Sequence, residues 1–579
     1  MADSNGKKKW KTLRHNGIIF PPEYESKGFT ITVRNKTIQP NLIQEEMAYQ
    51  WAKKKDTQYA QDETFQRNFT KDFAGELGGE YDKLKYNEID FSEAYRIVDM
   101  EKDRKDAMTK EERKELATKR KEMREQLKAR YGRAAIDGRE VEVGNYMAEP
   151  PGIFIGRGDH PLRGRWKPRV TARDVTLNMS RRAPRPEGNW KKVVANRDAT
   201  WLARWTDHLT KKEKYVWLAD TAKLKQDMDK AKYVKAEMLA DGIDKVLDRV
   251  ASDMADPETC RVATVCYLIY RTAMRVGDEK DPDEADTVGA TTLRKKHVYI
   301  SDDAVEFDFL GKDSVRWRES IRCDNPRDMQ LRKNLADIIS KKKGPEAEIF
   351  DDVSSRHVNA YYSGIMSGLS AKVFRTYSAT KVVKRYLAEH ADVSGETQSM
   401  KIYHAKRANL EAAIMCNHKR TIPKNFAESL KKRKVRLAEA KSKKPWENTQ
   451  ARLKKSKGSK AKTLIQKQKR RERIKQLKEQ IERQKARHAE RIEKMSLNID
   501  LTQRTKDYNL GTSLRNYVDP RVVKAWTDRT KTEWKKIYTA ALQKKFLWVA
   551  NEKQKWSDIV GADDRAGTVA KEQAAPATT

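Results

Sequence analysis

Five side chains that lie far apart in the sequence form a set that could act on a phosphodiester: Arg275, Lys312, Arg375, His418 and Tyr517. A phenol has an ordinary pKa of about 10, so a tyrosine attacks only where cationic groups gather around it. Two guanidinium groups would neutralise charge on the non-bridging oxygens, and an imidazole would donate a hydrogen bond to one of them. A lysine would protonate the leaving oxygen. The set suits attack by tyrosine on phosphorus without divalent metal ions.

Each of these residues also has a plainer interpretation. Tyr517 lies among turn-forming residues, where its hydroxyl is expected to project outward, but a lone tyrosine is more often an amphipathic residue at a domain edge. Arg275 follows an apolar helix and could pair with Asp278 or Glu279. Lys312 lies at the tip of a predicted hairpin, where lysines commonly serve solubility. The chemical interpretation depends on the set as a whole.

The elements that must position these residues belong to a mainly helical region, residues 210–426. Helical periodicity covers 233–250, and the run 262–274 is the most apolar helix of the chain. Alternation over 305–309 and 315–317, with a turn between, predicts a β-hairpin. We expect this region to be the catalytic core domain.

A mixed α/β region, residues 1–209, precedes it. Strand-like alternation occurs near residues 29–33 and 193–205, and charged helices are predicted for about 91–131, ending at Gly132. A glycine-rich loop around Arg157 would let backbone approach a phosphate, although an ordinary loop explains it as well. We expect this region to be of the α+β type.

The composition indicates a polyanionic partner. The chain has 123 Lys and Arg against 85 Asp and Glu, which gives a net charge of +38. Such a surplus favours nucleic acid, because neutralised phosphates release counterions. Four cysteines make a disulfide framework unlikely and favour an intracellular location, and no apolar run reaches the ~18 residues of a membrane span.

A strongly basic segment covers residues 427–500. Its second half carries an a/d-like apolar seam with a polar gap near residues 484 and 488. Two antiparallel helices joined near residues 445–460 would fit this pattern. Residues 501–579 follow, with aromatic residues that should pack on the catalytic body and a tail, after about 561, predicted to be disordered.

The chain resembles the type IB DNA topoisomerases of the eukaryotic kind, from about residue 10 to 550. The segments that carry the resemblance are PPGIFIGRGDHP at 150–161, RVGDEK at 275–280, ADTVG at 285–289, FDFLGKDS at 307–314, LSAKVFRTY at 369–377, CNH at 416–418 and GTSLRNYVDPR at 511–521. The implied fold is an α+β, multidomain DNA clamp with a tyrosine-recombinase-like catalytic domain and a coiled-coil linker.

The resemblance also implies roles for the five residues. Tyr517 would be the nucleophile that forms a 3′-phosphotyrosyl link, and Lys312 would be the general acid. Arg275, Arg375 and His418 would stabilise the transition state. One strand would be nicked, the duplex would swivel, and the 5′-hydroxyl would reseal the break, with no ATP, metal or other cofactor.

The implied DNA-binding residues are Arg157, Lys312, Asp313, Lys372 and Asn516. The expected partner is double-stranded DNA, bound by a monomer without an obligatory protein subunit. The protein should be intracellular and DNA-associated, in the nucleoid or cytoplasm if archaeal and in the nucleus if eukaryotic.

The sequence departs from the family in two places. The family has Ser-Lys-x-x-Tyr before the nucleophile, whereas this chain has Leu514 and Arg515 after Ser513. We expect activity to survive, because the general-acid role falls to Lys312. The long, charged N-terminal tail of eukaryotic members also has no counterpart, which suggests a shortened chain or a lineage without that tail.

Three other interpretations fit the sequence less well. A tyrosine recombinase would share the Arg, Lys, His and Tyr chemistry, but it needs a specific site and partners across a synapse. An architectural DNA-binding protein would explain the charge but not the five residue types. Cys416 and His418 could be half of a zinc site, but no second pair at finger spacing accompanies them.

Overall fold

The computed structural model describes residues 8–277, 288–393, 395–552 and 554–560, without the side chains of Asp313, Asn551 and Val560. Residues 278–280, which include the two acidic candidates for a partner of Arg275, lie outside the described residues, as does the tail from 561. The chain forms two compact units. The first comprises Met1–Asp229, Glu279–Thr287 and Leu310–Ser314, and the second comprises the rest.

The first unit is of the α+β type. Its four sheets have the strand orders β1-β5-β6, β3-β2-β4, β7-β8 and β10-β9-β11-β12. The strands are β1 (Leu13–His15), β2 (Ile31–Val33), β3 (Lys36–Ile38), β4 (Ile89–Asp90), β5 (Arg133–Ile136), β6 (Arg139–Glu142), β7 (Gly152–Ile153), β8 (Trp166–Lys167), β9 (Thr176–Asn178), β10 (Lys192–Val194), β11 (Trp201–Thr206) and β12 (Glu213–Trp217). The helices are α1 (Leu42–Ala52), α2 (Glu63–Leu77), α3 (Ser92–Ala107) and α4 (Lys110–Tyr131).

The charged helical stretch in this unit is divided in two. Helix α3 ends before Met108, and Thr109 caps α4 by accepting from the backbone N–H of Glu112, whose side chain in turn accepts from the N–H of Thr109. This reciprocal capping box starts a new helix. No residue of α4 is buried, so this charged helix is solvated along its whole length.

The second unit is mainly helical. Its strands are β13 (Val298–Ile300), β14 (Ala304–Gly311) and β15 (Val315–Arg322), and the division between units falls within α5 and β14. The helices are α5 (Lys223–Ala255), α6 (Cys260–Thr272), α7 (Pro326–Ser340), α8 (Ser355–Ile365), α9 (Ala371–Glu389), α10 (Gln398–Met415), α11 (Phe426–Ser442), α12 (Glu447–Gly458), α13 (Leu464–Arg504), α14 (Leu510–Asn516), α15 (Pro520–Arg529), α16 (Ala540–Lys545) and α17 (Trp556–Val560).

Two hydrophobic cores hold the second unit. One is built on α5, α6, the β13-β14-β15 sheet, α7, α8 and the start of α9. The other joins the rest of α9 and α10 to α14, α15 and the aromatic residues of the C-terminal segment, including Trp526 and Phe546. Tyr517 belongs to this second core. Within the described residues, no helix is both long enough and apolar enough to cross a bilayer.

The basic segment contains three helices, and the prediction of two is wrong in this respect. Helices α11 and α12 are separated at Pro445, a residue that cannot donate the backbone hydrogen bond of a continuing helix. Both pack on the 41-residue helix α13. The turn lies at 459–463. The guanidinium of Arg470 donates to the carbonyl of Ser456, and the ring of His488 meets Trp446 edge-on at 5.4 Å, so the pairing is antiparallel.

Candidate active site

Four of the five candidate side chains lie together in the second unit. Arg275 lies after the end of α6, and Arg375 is on α9. His418 lies after the end of α10, and Tyr517 is the first residue after α14. The fifth, Lys312, belongs to the first unit. The fold therefore brings together four of the residues that the sequence indicated. Arg275 and Tyr517, which are in contact, are 242 residues apart in the sequence.

A contact between two glycines fixes the backbone that carries Arg275. The carbonyl of Arg275 accepts from the N–H of Ala290 at 2.8 Å. A side chain on Gly289 would overlap the backbone of Gly277, which itself has a φ of 88°. Both positions require glycine, because backbone approaches backbone here and Gly277 adopts a left-handed conformation.

Arg375 is buried and ties two helix ends together. Its Nη1 donates to the carbonyl of Ala273 at 2.8 Å, and its Nη2 donates to the carbonyl of Cys416 at 3.1 Å. These carbonyls lie two residues before Arg275 and His418, respectively. One guanidinium therefore sets the spacing of the segments that carry both residues. Its Nε has no hydrogen-bond partner among the described residues.

Three groups of His418 are hydrogen-bonded: its backbone N–H, its carbonyl and its Nδ1. Its N–H donates to the carbonyl of Ala413, and its carbonyl accepts from the N–H of Asn509. Its Nδ1 lies 2.7 Å from the Oγ of Ser513, whereas its buried Nε2 has no partner within the described part of the chain. Burial lowers the pKa of His418 to about 3, and the nearby guanidiniums of Arg375 and Arg275 contribute to the shift. The imidazole is therefore neutral near pH 7.

Tyr517 is buried, with 6% of its surface exposed, so the expectation that its hydroxyl projects outward is wrong. The reason is that residues 510–516 form a helix, α14, which packs on α10 and draws the ring into the core. The ring lies 5.4 Å from that of His418, nearly parallel to it, and the guanidinium carbon of Arg375 is 4.9 Å from the ring centre. Arg275 Nη1 donates to the Tyr517 hydroxyl over 3.4 Å.

Thr380 anchors the backbone of Tyr517 and was missed from the sequence. Its Oγ1 donates to the Tyr517 carbonyl at 3.2 Å and accepts from the N–H of Asp519 at 3.1 Å. Because Thr380 is on α9 with Arg375, one helix fixes both the nucleophile candidate and a cation beside it. Nothing in the sequence signals this contact, because threonine is common in helices of every kind.

A buried ion pair follows the tyrosine. Asp519 caps α15 and pairs with Arg521, and Arg521 also contacts Glu237 of α5 at 3.2 Å. Burial lowers the pKa of Arg521, but its bonds to Asp519 and then Glu237 outweigh this and raise it. The pair holds the chain just beyond Tyr517 against α5.

The guanidiniums of Arg275 and Arg375 lie close together without an acidic partner in the described part of the site. Burial lowers the pKa of Arg275, and the charge of Arg375 lowers it further. Two close, desolvated cations are costly unless an anion is bound between them. Among the described residues, the site therefore brings two guanidinium groups to one tyrosine side chain.

The predicted hairpin is confirmed, and Lys312 lies at its tip. Residues Lys312–Ser314 form a single 3₁₀ turn between β14 and β15. The loop after Phe154 lies against this turn, since a side chain on Gly158 would overlap the hydroxyl of Ser314. Arg157 is exposed in that loop, next to Gly158. Two predicted DNA-binding elements therefore meet within the first unit, while the side chain of Asp313 is outside the described residues.

The other two predicted DNA-binding residues are exposed in the second unit. Lys372 lies in the first turn of α9, one turn before Arg375. Asn516 precedes Tyr517, and its side-chain amide donates to the carbonyl of Thr512 at 3.0 Å. Lys232 of α5 donates to the Asn516 carbonyl at 3.0 Å. Among the described residues, no three His, Cys, Asp or Glu side chains cluster as metal ligands would.

Comparisons with known proteins cover nearly the whole chain. Residues 8–218 match the DNA-binding fragment of eukaryotic DNA topoisomerase I, residues 221–451 match its catalytic core, and residues 489–558 match a C-terminal topoisomerase domain. DNA topoisomerase 1 alpha of Arabidopsis thaliana is 35% identical over 556 residues, which is 94% of this chain and 59% of that protein.

Two animal relatives are covered more fully. The mitochondrial DNA topoisomerase I of Rattus norvegicus is 33% identical over 94% of this chain and 91% of its own length. DNA topoisomerase 1 of Homo sapiens is 32% identical over 93% of this chain and 70% of its own length. The chain thus spans about three fifths of the plant relative and most of the animal ones. The chain belongs to the eukaryotic DNA topoisomerase I family.

Proposed function

We propose that the protein is a type IB DNA topoisomerase that relaxes positive and negative supercoils in duplex DNA. It cleaves one strand through a 3′-phosphotyrosyl intermediate on Tyr517, lets the duplex rotate, and reseals the strand. Membership of the topoisomerase I family supports this function, and the geometry around Tyr517 supports this mechanism.

The observation that carries the proposal is a pair of buried, unsatisfied groups beside the tyrosine. Arg375 Nε and His418 Nε2 both lack partners in the described residues, and both belong to side chains that touch the Tyr517 ring. Buried polar groups are almost always hydrogen-bonded, so these two nitrogens are suited to bind the oxygens of a ligand. With Arg275 on the hydroxyl, the three side chains form a receptor for the non-bridging oxygens of a phosphodiester.

In the forward step the Tyr517 hydroxyl gives up its proton to water, and its oxygen attacks phosphorus. A phosphorus–oxygen bond to tyrosine forms, and the bond to the 5′-oxygen of the next nucleotide breaks. The guanidiniums of Arg275 and Arg375 and the Nε2–H of His418 stabilise the extra negative charge of the transition state. We assign the proton of the departing 5′-oxygen to Lys312, since an ammonium can supply it.

Resealing is the reverse of these steps. The 5′-hydroxyl attacks the phosphotyrosine, and Lys312 takes the hydroxyl proton. The phosphorus–oxygen bond to Tyr517 breaks, and the phenolate takes a proton from water. Because one phosphodiester is exchanged for another, the bond energy is kept and no ATP is consumed. The charge stabilisation that a metal ion would otherwise supply comes from the two guanidiniums, so no cofactor is needed.

The positive surface supports DNA binding beyond the cleaved bond. We propose that Arg157, Lys312 and Asp313 contact DNA from the first unit, and that Lys372 and Asn516 do so from the second. The division into a cap (1–209), a core (210–426), a linker (427–500) and a C-terminal domain (501–579) is part of this proposal. We also propose that the protein encloses the duplex as a clamp and is active as a monomer without an obligatory subunit. We expect it to be associated with DNA in the cell.

We propose that the arm formed by α11–α13 slows rotation of the duplex. Nearly all of its basic side chains are exposed. A basic arm beside rotating DNA would act as an electrostatic brake that weakens as salt screens its charge. Replacing residues 431–491 with a short loop should leave cleavage intact and alter processivity at moderate salt. Loss of cleavage would show instead that the arm positions Tyr517.

A relaxation assay tests the proposed function. Supercoiled plasmid without any recombination site is incubated with the protein in chelator and without nucleotide. We expect complete relaxation of plasmids of either sign. A tyrosine recombinase, the alternative enzyme with this set of residues, would leave the plasmid unchanged for want of its site. Folded protein that relaxes nothing would refute the proposal.

A further inference from the structure

We infer that Ser513 is a positioning residue that fixes the tautomer of His418, with the single imidazole proton on Nε2, where it faces the bound phosphate. The inference rests on the proposed function and adds to it a residue outside the five that the sequence indicated. A neutral imidazole is a donor at one nitrogen and an acceptor at the other, so its role depends on where the proton is.

The hydrogen-bonding capacity of Ser513 decides the direction of the bond. Ser513 is fully buried, and in the described part of the chain its hydroxyl bonds only to His418 Nδ1, at 2.7 Å. If Nδ1–H were the donor, the hydroxyl hydrogen would have no acceptor among the described residues. If the hydroxyl donates, both groups are satisfied. The second arrangement places the imidazole proton on Nε2.

The position of the imidazole proton matters because the His418 ring is neutral. Burial and the two guanidiniums keep His418 neutral, so it cannot carry a proton on both nitrogens. Its Nε2 is buried and has no partner among the described residues, on a ring that is nearly parallel to Tyr517. A lone pair there would repel a phosphate oxygen, whereas an N–H there would bond to it.

Ser513 is also linked to the nucleophile through its backbone. Its carbonyl accepts from the N–H of Tyr517 at 2.9 Å and from that of Val518 at 3.1 Å. The same residue therefore holds the imidazole with its side chain and the tyrosine with its main chain. This connection fixes the position of the His418 imidazole relative to Tyr517, the residue that follows α14. Ser513 acts through His418 and Tyr517 and does not touch the reacting atoms.

Nitrogen-15 NMR of the whole protein, labelled at its histidines, tests the inference without requiring activity. The chain has nine histidines, and the His418 signals are assigned by their loss in His418→Gln. We expect the Nδ1 shift of an acceptor and the Nε2 shift of an N–H at pH 7. The opposite pattern would overturn the inference, whether or not the protein relaxes DNA.

Single-turnover cleavage of Ser513 variants provides the second measurement. Ser513→Ala removes the donor and should slow cleavage about tenfold, a typical loss for one hydrogen bond, with a mixed His418 tautomer. Ser513→Thr keeps the hydroxyl and should restore both the tautomer and most of the rate. Wild-type rates in Ser513→Ala would overturn the inference, while the proposed function would stand. Absence of cleavage in the wild type, with the expected tautomer, would refute the function alone.

Discussion

Protonation of His418 should weaken the folded protein at mildly acidic pH. The pKa of His418 falls from an ordinary 6.5 to about 3 on folding, mainly because of burial. Between these values the unfolded chain binds a proton that the folded protein does not. Stability is therefore fully present above pH 6.5 and is lost as the pH falls toward 3. At pH 5 the loss is about 2 kcal/mol, as linkage gives for a shift of this size.

The assay compares wild type with His418→Gln, whose side chain does not titrate. Free energies of unfolding in urea are measured at pH 7.5 and pH 5.0. The wild type should lose about 2 kcal/mol more than the variant over this interval. The pKa values of His15 and His404 are also lowered by burial, but both residues are present in both proteins and cancel in the difference. Equal losses in the two proteins would refute a neutral, desolvated His418.

Three further substitutions test separate parts of the account. Gly289→Ala should cost about 1–3 kcal/mol in thermal unfolding, since its methyl group overlaps Gly277, whereas the control Gly242→Ala, in open space on α5, should not destabilise. Arg375→Lys keeps the charge but loses the fork that joins two helix ends, and single-turnover cleavage should fall about 100-fold; wild-type rates would show that charge suffices. Lys312→Ala should cleave normal DNA slowly but cleave a substrate with a 5′-bridging sulfur at nearly the wild-type rate, because that sulfur leaves without a proton. Arg375→Lys should stay slow on both substrates. Equal recovery of the two variants would show that Lys312 is not the general acid.

The four residues of the site in the second unit could be predicted from the sequence, because they lie in segments that resemble a known family. Two arginines, a histidine and a tyrosine also suit what a phosphodiester requires, and the fold places those four together. The hairpin that carries Lys312 was predictable for a different reason. Alternation with period two, interrupted by Gly-Lys-Asp, has few structural solutions.

The burial of Tyr517 was not predictable from its neighbours. The residues before it favour turns, but α14 forms because Asn509 caps it and because α10 offers a surface on which it packs. Tertiary packing of this kind overrides local propensity. The roles of Ser513 and Thr380 were hidden for the same reason, since each is defined by a partner about 95 or 137 residues away.

The basic arm shows the limits of reading periodicity. Two residues of the predicted seam, Leu477 and Ile481, are buried, whereas the other four, Ile474, Ile492, Met495 and Ile499, are half-buried. The polar gap at His488 is filled by Trp446, which immediately precedes α12, and no pattern within α13 could reveal this contact. The number of helices was missed because Pro445 was included in the predicted turn at 445–460, whereas it interrupts one side of the arm.

The central claim is that the Tyr517 hydroxyl attacks DNA, and trapping the covalent intermediate tests it most directly. Tyr517→Phe removes one oxygen from a buried ring, and Tyr538→Phe does the same to a tyrosine in the same core whose hydroxyl has no hydrogen-bond partner among the described residues. Each protein is mixed with duplex DNA in chelator and denatured, and DNA-linked protein is measured. We predict adducts with the wild type and Tyr538→Phe, and none with Tyr517→Phe at equal DNA binding. Adducts with Tyr517→Phe would show that another residue is the nucleophile and would contradict the account.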